Sequence, residues 1–426
     1  MVANALDIPN GYKRTERGVF PEDWKGIKLD DVSNFITKGS TPTTYGHAWQ
    51  SFGILFLRSE CVTGRGLDLR QSKFISAEAN RDLARSVIQG GDLLITITGN
   101  VGRVVMLPED FQGGNINQHI ARIRINSSDY LPEFIFHQLG RPESLRFFER
   151  IVTGQAYPQI SLRQVRDTVI EAPNREEQTA IAEALTDTDE AIRSLEAVIA
   201  KKRDVKQATL HALLTPTRRL PGFSGDWGKL SLGKCASLKA RIGWQGLTTK
   251  EYQLEGPCGL ITGTDFKDGN IDWSNIVYVE EDRYTQDVNI QVKIDDVLIT
   301  KDGTIGKVAL VKSIPIPTTL NSGVFVIRPK AKAFHPKFLY YILLSEYFEV
   351  FLKKLSAGST INHLYQKDFV DFQFPTPPSI KEQAAIAAIL SDMDAEIEGL
   401  QARLDKLRDI KQGMMQVLLT GKVRLI

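Results

Sequence analysis

Cysteine is scarce. Cys61, Cys235 and Cys258 are the only three, far apart and never in C-x-x-C spacing, which argues against a disulfide framework or a cysteine zinc site and fits a reducing cytoplasm. Long hydrophobic runs are missing as well: none approaches the roughly 20 residues of a membrane-spanning helix. Residues 1–12 have no charged start followed by an apolar core, so no signal peptide is expected. Neither charge sign dominates, because 53 Lys and Arg against 51 Asp and Glu leave a net charge of only +2. Bulk charge therefore does not announce a nucleic-acid binder, although a basic face could exist locally.

Catalytic signatures are absent too. There is no G-x-G-x-x-G or F-x-G-x-G cofactor loop, no H-E-x-x-H, no paired-histidine metal site and no G-x-S-x-G elbow. No Asn-Pro-Pro-aromatic tetrapeptide of an amino-methyltransferase occurs, since proline precedes Asn174 rather than following it. Asp295, Asp296 and Lys301 miss the nuclease spacing, and Asp92 and Asp296 read as turn residues before a strand. No catalytic and no metal-binding residue is predicted.

What is present is a repeat. The 426 residues suffice for two to three domains, and 42% hydrophobic with 24% charged residues is an ordinary globular balance. Shifted by 203 or 204 positions, the chain matches itself: Trp24 meets Trp227, Asp92-Leu93-Leu94-Ile95-Thr96 meets Asp296-Val297-Leu298-Ile299-Thr300, and Asn117 meets Asn321. At offset 205, residues 178–215 align with 383–420 and 18 of 38 positions are identical. A period near 205 is far too long for a solenoid unit, so a whole domain plus a helix is duplicated.

Each dense segment reads as one long helix. In the second, Ile386, Leu390, Met393, Ile397, Leu400, Leu404 and Leu407 form a 4-3 heptad seam, which then skips to Ile410. In the first, Ile181, Leu185, Ile192, Leu195 and Ile199 form the seam, which resumes at Val205 and Leu213. Asn174 with Glu177, and Ser379 with Glu382, have the spacing of capping boxes, while Pro216 and Gly421 mark the exits. Core helices of larger domains would be the plainer reading. The narrow seam with polar flanks favours two helices packed on each other antiparallel.

The intervening segments read as mixed α and β. Strands are expected at Ile54 to Leu57, Leu93 to Thr98, His119 to Ile125, Asp296 to Thr300, Val308 to Val311 and Val324 to Arg328, and single helices at Glu133 to Arg150 and Lys337 to Lys354. Gly99-x-x-Gly102-Arg103 and Gly303-x-x-Gly306-Lys307 lie between strands. They fit a glycine hairpin, or a turn whose backbone approaches a ligand, with Arg103 or Lys307 on phosphate. Asn100, Thr304 and Lys301 flank these turns, and Asn117 and Asn321 recur beside them. Lys38, Ser40 and Thr41 follow the first strand of one half, as Lys239 and Arg241 do in the other. A further loop carries Gln155, Tyr157 and Gln159 in the first half and Ser359, Thr360, Asn362 and His363 in the second. Gln and Asn read adenine bidentately, and Arg and Lys read guanine. Any one such loop is more often a solvated turn. A repeated frame with divergent polar loops is what two readers of different DNA sequences would show.

The motifs Glu177-Gln178-Thr179-Ala180-Ile181-Ala182 with Leu185 and Asp189, and Glu382-Gln383-Ala384-Ala385-Ile386-Ala387 with Leu390 and Asp394, each end in Leu-Leu-Thr. With Gly11-Tyr12-Lys13-Arg14-Thr15, Pro21-Glu22-Asp23-Trp24 and Gly358-Ser359-Thr360-Ile361, the chain resembles, along essentially its whole length, the specificity subunit of a bacterial type I restriction–modification enzyme. The first half departs from the last motif with Gly154-Gln155-Ala156-Tyr157. The resemblance implies an α+β chain: two mixed α/β target-recognition domains, residues 1–173 and 216–377, joined by two long antiparallel helices, residues 174–215 and 378–426, as a pseudo-twofold coiled-coil spacer. Each domain would read half of a bipartite, asymmetric site on double-stranded DNA. Two methyltransferase subunits would dock on the helices, and restriction/translocase subunits would join them. S-adenosylmethionine, ATP and magnesium would belong to those partners, with no cofactor on this chain. The rival reading is an assembly scaffold that binds no DNA.

Overall fold

The computed structural model describes residues 8–64, 66–154, 157–243, 246–356 and 363–425. The chain forms two compact units, residues 1–196 with 402–426 and residues 197–401. Each unit therefore holds the beginning of one long helix and the end of the other.

In the first unit, a four-stranded antiparallel sheet runs in the order Val104–Met106, Leu93–Thr96, Ile120–Ile125, Ser33–Lys38. A second sheet has the order Lys73–Ile75, Ile54–Leu57, Gly114–Ile116, Val87–Ile88 and contains one parallel pair. The second unit repeats the plan with Ala236–Lys239, Val324–Pro329, Val297–Thr300 and Val308–Leu310. Its other sheet joins Val277–Val279, Cys258–Ile261 and Thr318–Leu320, again with one parallel pair. Leu93–Thr96 and Val297–Thr300 are buried throughout, which is why their sequences show no apolar-polar alternation.

The residues before these strands do more than turn the chain. Asp92 is fully buried and accepts two hydrogen bonds from Arg124, at 2.7 and 2.8 Å, and one from the Gln89 amide at 2.9 Å. Asp296 does the same with Arg328, at 2.7 and 2.6 Å, and the Lys293 amide at 2.7 Å. A buried carboxylate needs such partners, since desolvation without them is costly. The repeated tryptophans also sit alike: Trp24 meets Phe134 edge-on at 6.1 Å, and Trp227 meets Phe338 at 6.3 Å.

Each helix expected after Pro132 and Pro336 is two helices, Pro132–Leu139 and Pro142–Ile151, then Pro336–Leu343 and Glu346–Leu355. In the first copy Pro142 stands at the start of the new helix, where its missing N–H costs nothing but the preceding helix cannot continue through it. In the second, the Ser345 hydroxyl donates to the Ile342 carbonyl at 2.7 Å and turns the chain without proline.

The long helices are Arg175–Leu213 and Ile380–Leu418. Their first turns belong to the globular cores. Ile181 and Leu185 pack with Phe134, Leu139, Leu418 and Leu419, and Ile386 and Leu390 with Phe338, Tyr341, Leu210 and Leu214. Ile192, Ile199 and Leu404 are buried, while Leu195, Met393, Ile397, Leu400 and Leu407 are half-buried, as a two-helix seam leaves them. The seam does not resume at Val205 or Ile410, which are 46% and 44% exposed. The neighbouring lysines turn inward there instead. Lys411 reaches Asp189 at 2.5 Å in the first unit, and Lys206 pairs with Asp394 in the second. Arg408 meets Glu196 at 2.5 Å, and Arg203 donates to Gln401 at 3.3 Å. These contacts fix the helix halves antiparallel within each unit.

Candidate nucleic-acid interface

One end of each four-stranded sheet gathers most of the polar loops. In the first unit, register places Lys38 opposite Ala121 and Thr96 opposite Ile120. The end of Ser33–Lys38, the turn before Ile120–Ile125 and the hairpin after Leu93–Thr96 therefore emerge side by side. Gly39 passes so close to the second sheet that a Cβ there would lie 1.7 Å from the Ile116 carbonyl oxygen, and its amide donates to the Asn117 carbonyl at 3.2 Å. Segment 157–160 docks on the same end: the Gly99 amide donates to the Pro158 carbonyl and the Ile160 amide to the Ile97 carbonyl, both at 2.9 Å.

The second unit is built likewise. Thr300 lies opposite Val324 and Lys239 opposite Val326. The Lys301 amide donates to the Gly323 carbonyl at 2.8 Å, and the Leu364 amide to the Lys301 carbonyl at 2.8 Å, which brings His363 against Asp302.

The glycine turns are tight hairpins. Thr96 and Thr300 organise them: each accepts at its hydroxyl oxygen from the amide of Arg103 (3.0 Å) or Lys307 (2.9 Å) and donates to the carbonyl of Asn100 or Thr304. Gly99, Gly102, Gly303 and Gly306 all have positive φ, which a side chain would strain. Gly102 and Gly306 back onto Phe148 and Leu352, whereas Gly99 and Gly303 face open space. The hairpin reading thus accounts for the backbone, and it leaves Asn100, Thr304 and Lys307 exposed at the tip with Arg103 half-buried.

The other candidates divide by what their side chains do. Lys38, Gln159 and Lys239 are exposed, and Tyr157 is 73% exposed. Ser40 is half-buried, and the Thr41 hydroxyl donates to Gln118 at 2.6 Å. Asn117 is buried and its side chain accepts from the His119 amide at 3.1 Å, shaping the turn. Asn321 does similar work on the Gly323 amide at 2.7 Å and donates to the Tyr252 hydroxyl. Lys301 lies 5.0 Å over the Phe325 ring. Arg241 is 1% exposed, and its guanidinium donates to the Leu320 and Arg283 carbonyls and to Thr319 and Gln286, at 3.0 to 3.1 Å. Burial, and next the Arg283 charge, hold its pKa below the usual arginine value. Gln155, Ser359, Thr360 and Asn362 lie outside the described residues.

The same sheet ends hold residues that sequence reasoning passed over. Gln118 and His119, in the turn after Asn117, bond to each other at 3.1 Å. Their counterparts are Ser322 and Gly323, so divergence right after a repeated asparagine was the available signal. Tyr365, 54% exposed, packs on the His363 ring at 4.4 Å with the Lys367 ammonium 5.5 Å over its face. Among the described residues, no group of three or more His, Cys, Asp or Glu is placed to hold a metal ion, and no helix is long and apolar enough to cross a membrane.

The type I restriction enzyme MjaVIII specificity subunit of Methanocaldococcus jannaschii is 23% identical over 418 residues, covering 95% of this chain and 94% of that one. The crystal structure of the type I restriction-modification system S subunit from M. genitalium has a TM-score of 0.64 at 15% identity, covering 97% of this chain and 98% of the other. A solved chain described under "complex assembly and conformational transition of the type I R-M system" has a TM-score of 0.54 at 19% identity, covering 95% and 99%. The profile described as "Type I restriction modification DNA specificity domain" matches residues 21–201 and 260–408, and with most of its length so matched the chain belongs to that family.

Proposed function

We propose that this chain is the DNA-reading subunit of a type I restriction–modification complex, each unit reading one half of a bipartite, asymmetric site on double-stranded DNA. One observation carries the reading: the same sheet end occurs twice with its frame kept and its tips changed. Buried Asp–Arg pairs and threonine-tied glycine hairpins hold the frame. The exposed tips carry Lys38, Asn100, Tyr157 and Gln159 on one unit and Lys239, Thr304 and Lys307 on the other, where His363 lies half-buried beside them against Asp302. Lysines at the tips suit phosphate, and amide and imidazole groups suit base edges. Arg241, Asn117 and Asn321, engaged internally, act by shaping the loops.

The long helices, each shared between the units, set the unread gap and dock two methyltransferase subunits. Restriction/translocase subunits complete the assembly. Chemistry then lies with the partners, which bring S-adenosylmethionine, ATP and magnesium, while this chain supplies the address in the cytoplasm. Base flipping falls to the methyltransferases.

The test is selection from a randomised duplex library by the full chain assembled with its methyltransferase partner. Enrichment of two specified blocks separated by a fixed unspecified gap is expected. No enrichment by the intact assembly would overturn the proposal in favour of the protein-only scaffold.

A further inference from the structure

The two units differ at one equivalent place, away from the sheet ends. In the first unit the hairpin of Tyr12–Thr15 and Gly18–Pro21 meets helix Pro142–Ile151 and strand Val169–Ala172 through Arg17 and Lys13, and a cavity of about 210 Å³ remains between them. Its tip inserts Arg17, which is 8% exposed. The guanidinium donates to the Val169 carbonyl at 2.8 Å and to the Ser144 hydroxyl, and lies 5.6 Å over the Phe147 ring. A second cation, Arg141, is buried beside it, donating to the Leu419 carbonyl at 3.3 Å and lying over Phe20 at 5.3 Å.

At offset 204 the second unit has the same helix and strand but neither arginine. Ser345 stands where Arg141 does. Residues 214–227 form no strand, so the second unit has no counterpart of this hairpin. What remains is an open groove of about 410 Å³, lined by Glu346, Tyr347, Val350, Phe351, Asp371 and Gln373 among others. A smaller cavity of about 60 Å³ adjoins it between Leu210, Leu214 and Ser345. Phe351 corresponds to Phe147 and Gln373 to Val169, so the aromatic face and the strand position that receive Arg17 are both kept. Val350 at the groove is 47% exposed. The lining holds two carboxylates, Glu346 and Asp371, against one ammonium, Lys354, and although His211 lies 3.1 Å from Glu346, Asp371 leaves the lining favourable to a cation.

We propose that this groove of the second unit is a docking site for a partner protein's hairpin or loop that presents an arginine, taking the place that the chain's own hairpin takes in the first unit. Guanidinium chemistry fits best, because it stacks on a phenyl face while donating to carbonyl and carboxylate oxygens, which a compact ammonium does less well. The inference stands on the comparison of two grooves within this chain and does not depend on the DNA reading.

The test titrates the full chain calorimetrically with a cyclised synthetic hairpin copying residues 12–21, and with the same peptide carrying Arg17→Ala. Two chain variants at exposed positions accompany it, Asp371→Lys in the second unit and Asp167→Lys at the matching place in the first. Saturable one-to-one binding is expected, weakened at least tenfold by Arg17→Ala in the peptide and by Asp371→Lys in the chain, and unchanged by Asp167→Lys. Absence of saturable binding, equal binding of the alanine peptide, or indifference to Asp371→Lys would overturn it.

Discussion

Arg424 closes on the buried carboxylate of Glu177 through two hydrogen bonds, 2.6 and 2.8 Å long. Arg219 repeats the arrangement on Glu382, at 2.8 and 2.7 Å. Both carboxylate side chains are fully buried. The capping-box spacing is thus only half used: the Asn174 side chain accepts from the Glu177 amide at 2.9 Å, but the glutamate turns away to an arginine distant in sequence. Each pair ties the first turn of one long helix to the segment that follows the other.

Arg424→Met leaves Glu177 buried without its partner. Loss of one member of a buried pair costs about 3 kcal/mol or more, somewhat less here because Arg424 is partly exposed. Chemical denaturation should show a drop of about 2–3 kcal/mol, and Arg219→Met should lower stability in the same direction.

His137 gives the first unit a defined acid sensitivity. Burial first, and the Lys411 charge second, lower its pKa to about 3. Below the ordinary value near 6.5 the unfolded chain takes up a proton that the folded chain refuses. Stability therefore falls as pH drops from about 6.5 towards 3, by at most about 1.4 kcal/mol per pH unit. The matching residue is Tyr341, whose hydroxyl donates to Asp394 at 2.8 Å and lies 3.2 Å from the Ser391 hydroxyl. His137→Tyr should flatten the melting temperature across that window, and an unchanged slope would place the sensitivity elsewhere.

Lys307 is exposed at a hairpin tip and suits phosphate rather than a base. Lys307→Ala should weaken binding to all duplexes alike and lower the slope of log affinity against log salt by about 1. A change of preference at one base pair would instead make Lys307 a base reader.

The gap between half-sites should follow helix length. Inserting four residues, about one turn, into the middle of Arg175–Leu213 should lengthen or scramble the preferred gap without changing the bases chosen in either half. Selection on a randomised library reads both quantities at once.

Duplication, both long helices and most strands were legible because they depend on local pattern and on self-similarity. Leu93 to Thr96 and Asp92 could be placed from their repeats alone. The inward turn of Lys206 and Lys411 could not, because the heptad rule sees only apolar residues and these lysines are held by carboxylates on the other helix. At the interface, exposure of Lys38, Gln159 and Lys307 agrees with their reading as tips. The burial of Arg241 was invisible, since its partners Leu320, Thr319 and Arg283 come from segments some 40 to 80 residues away. Gln118 and His119 were missed because a dipeptide after a turn carries no periodicity.

The central claim is that the two units read separate halves of one site. Adenine methylation should be mapped in cells whose complex carries either the unaltered chain or one with Gln118→Ala, Tyr157→Ala and Gln159→Ala together. The account predicts that the methylated motif loses definition in one half while the other half and the gap stay as they were. Equal loss in both halves, or an unchanged motif, would contradict it.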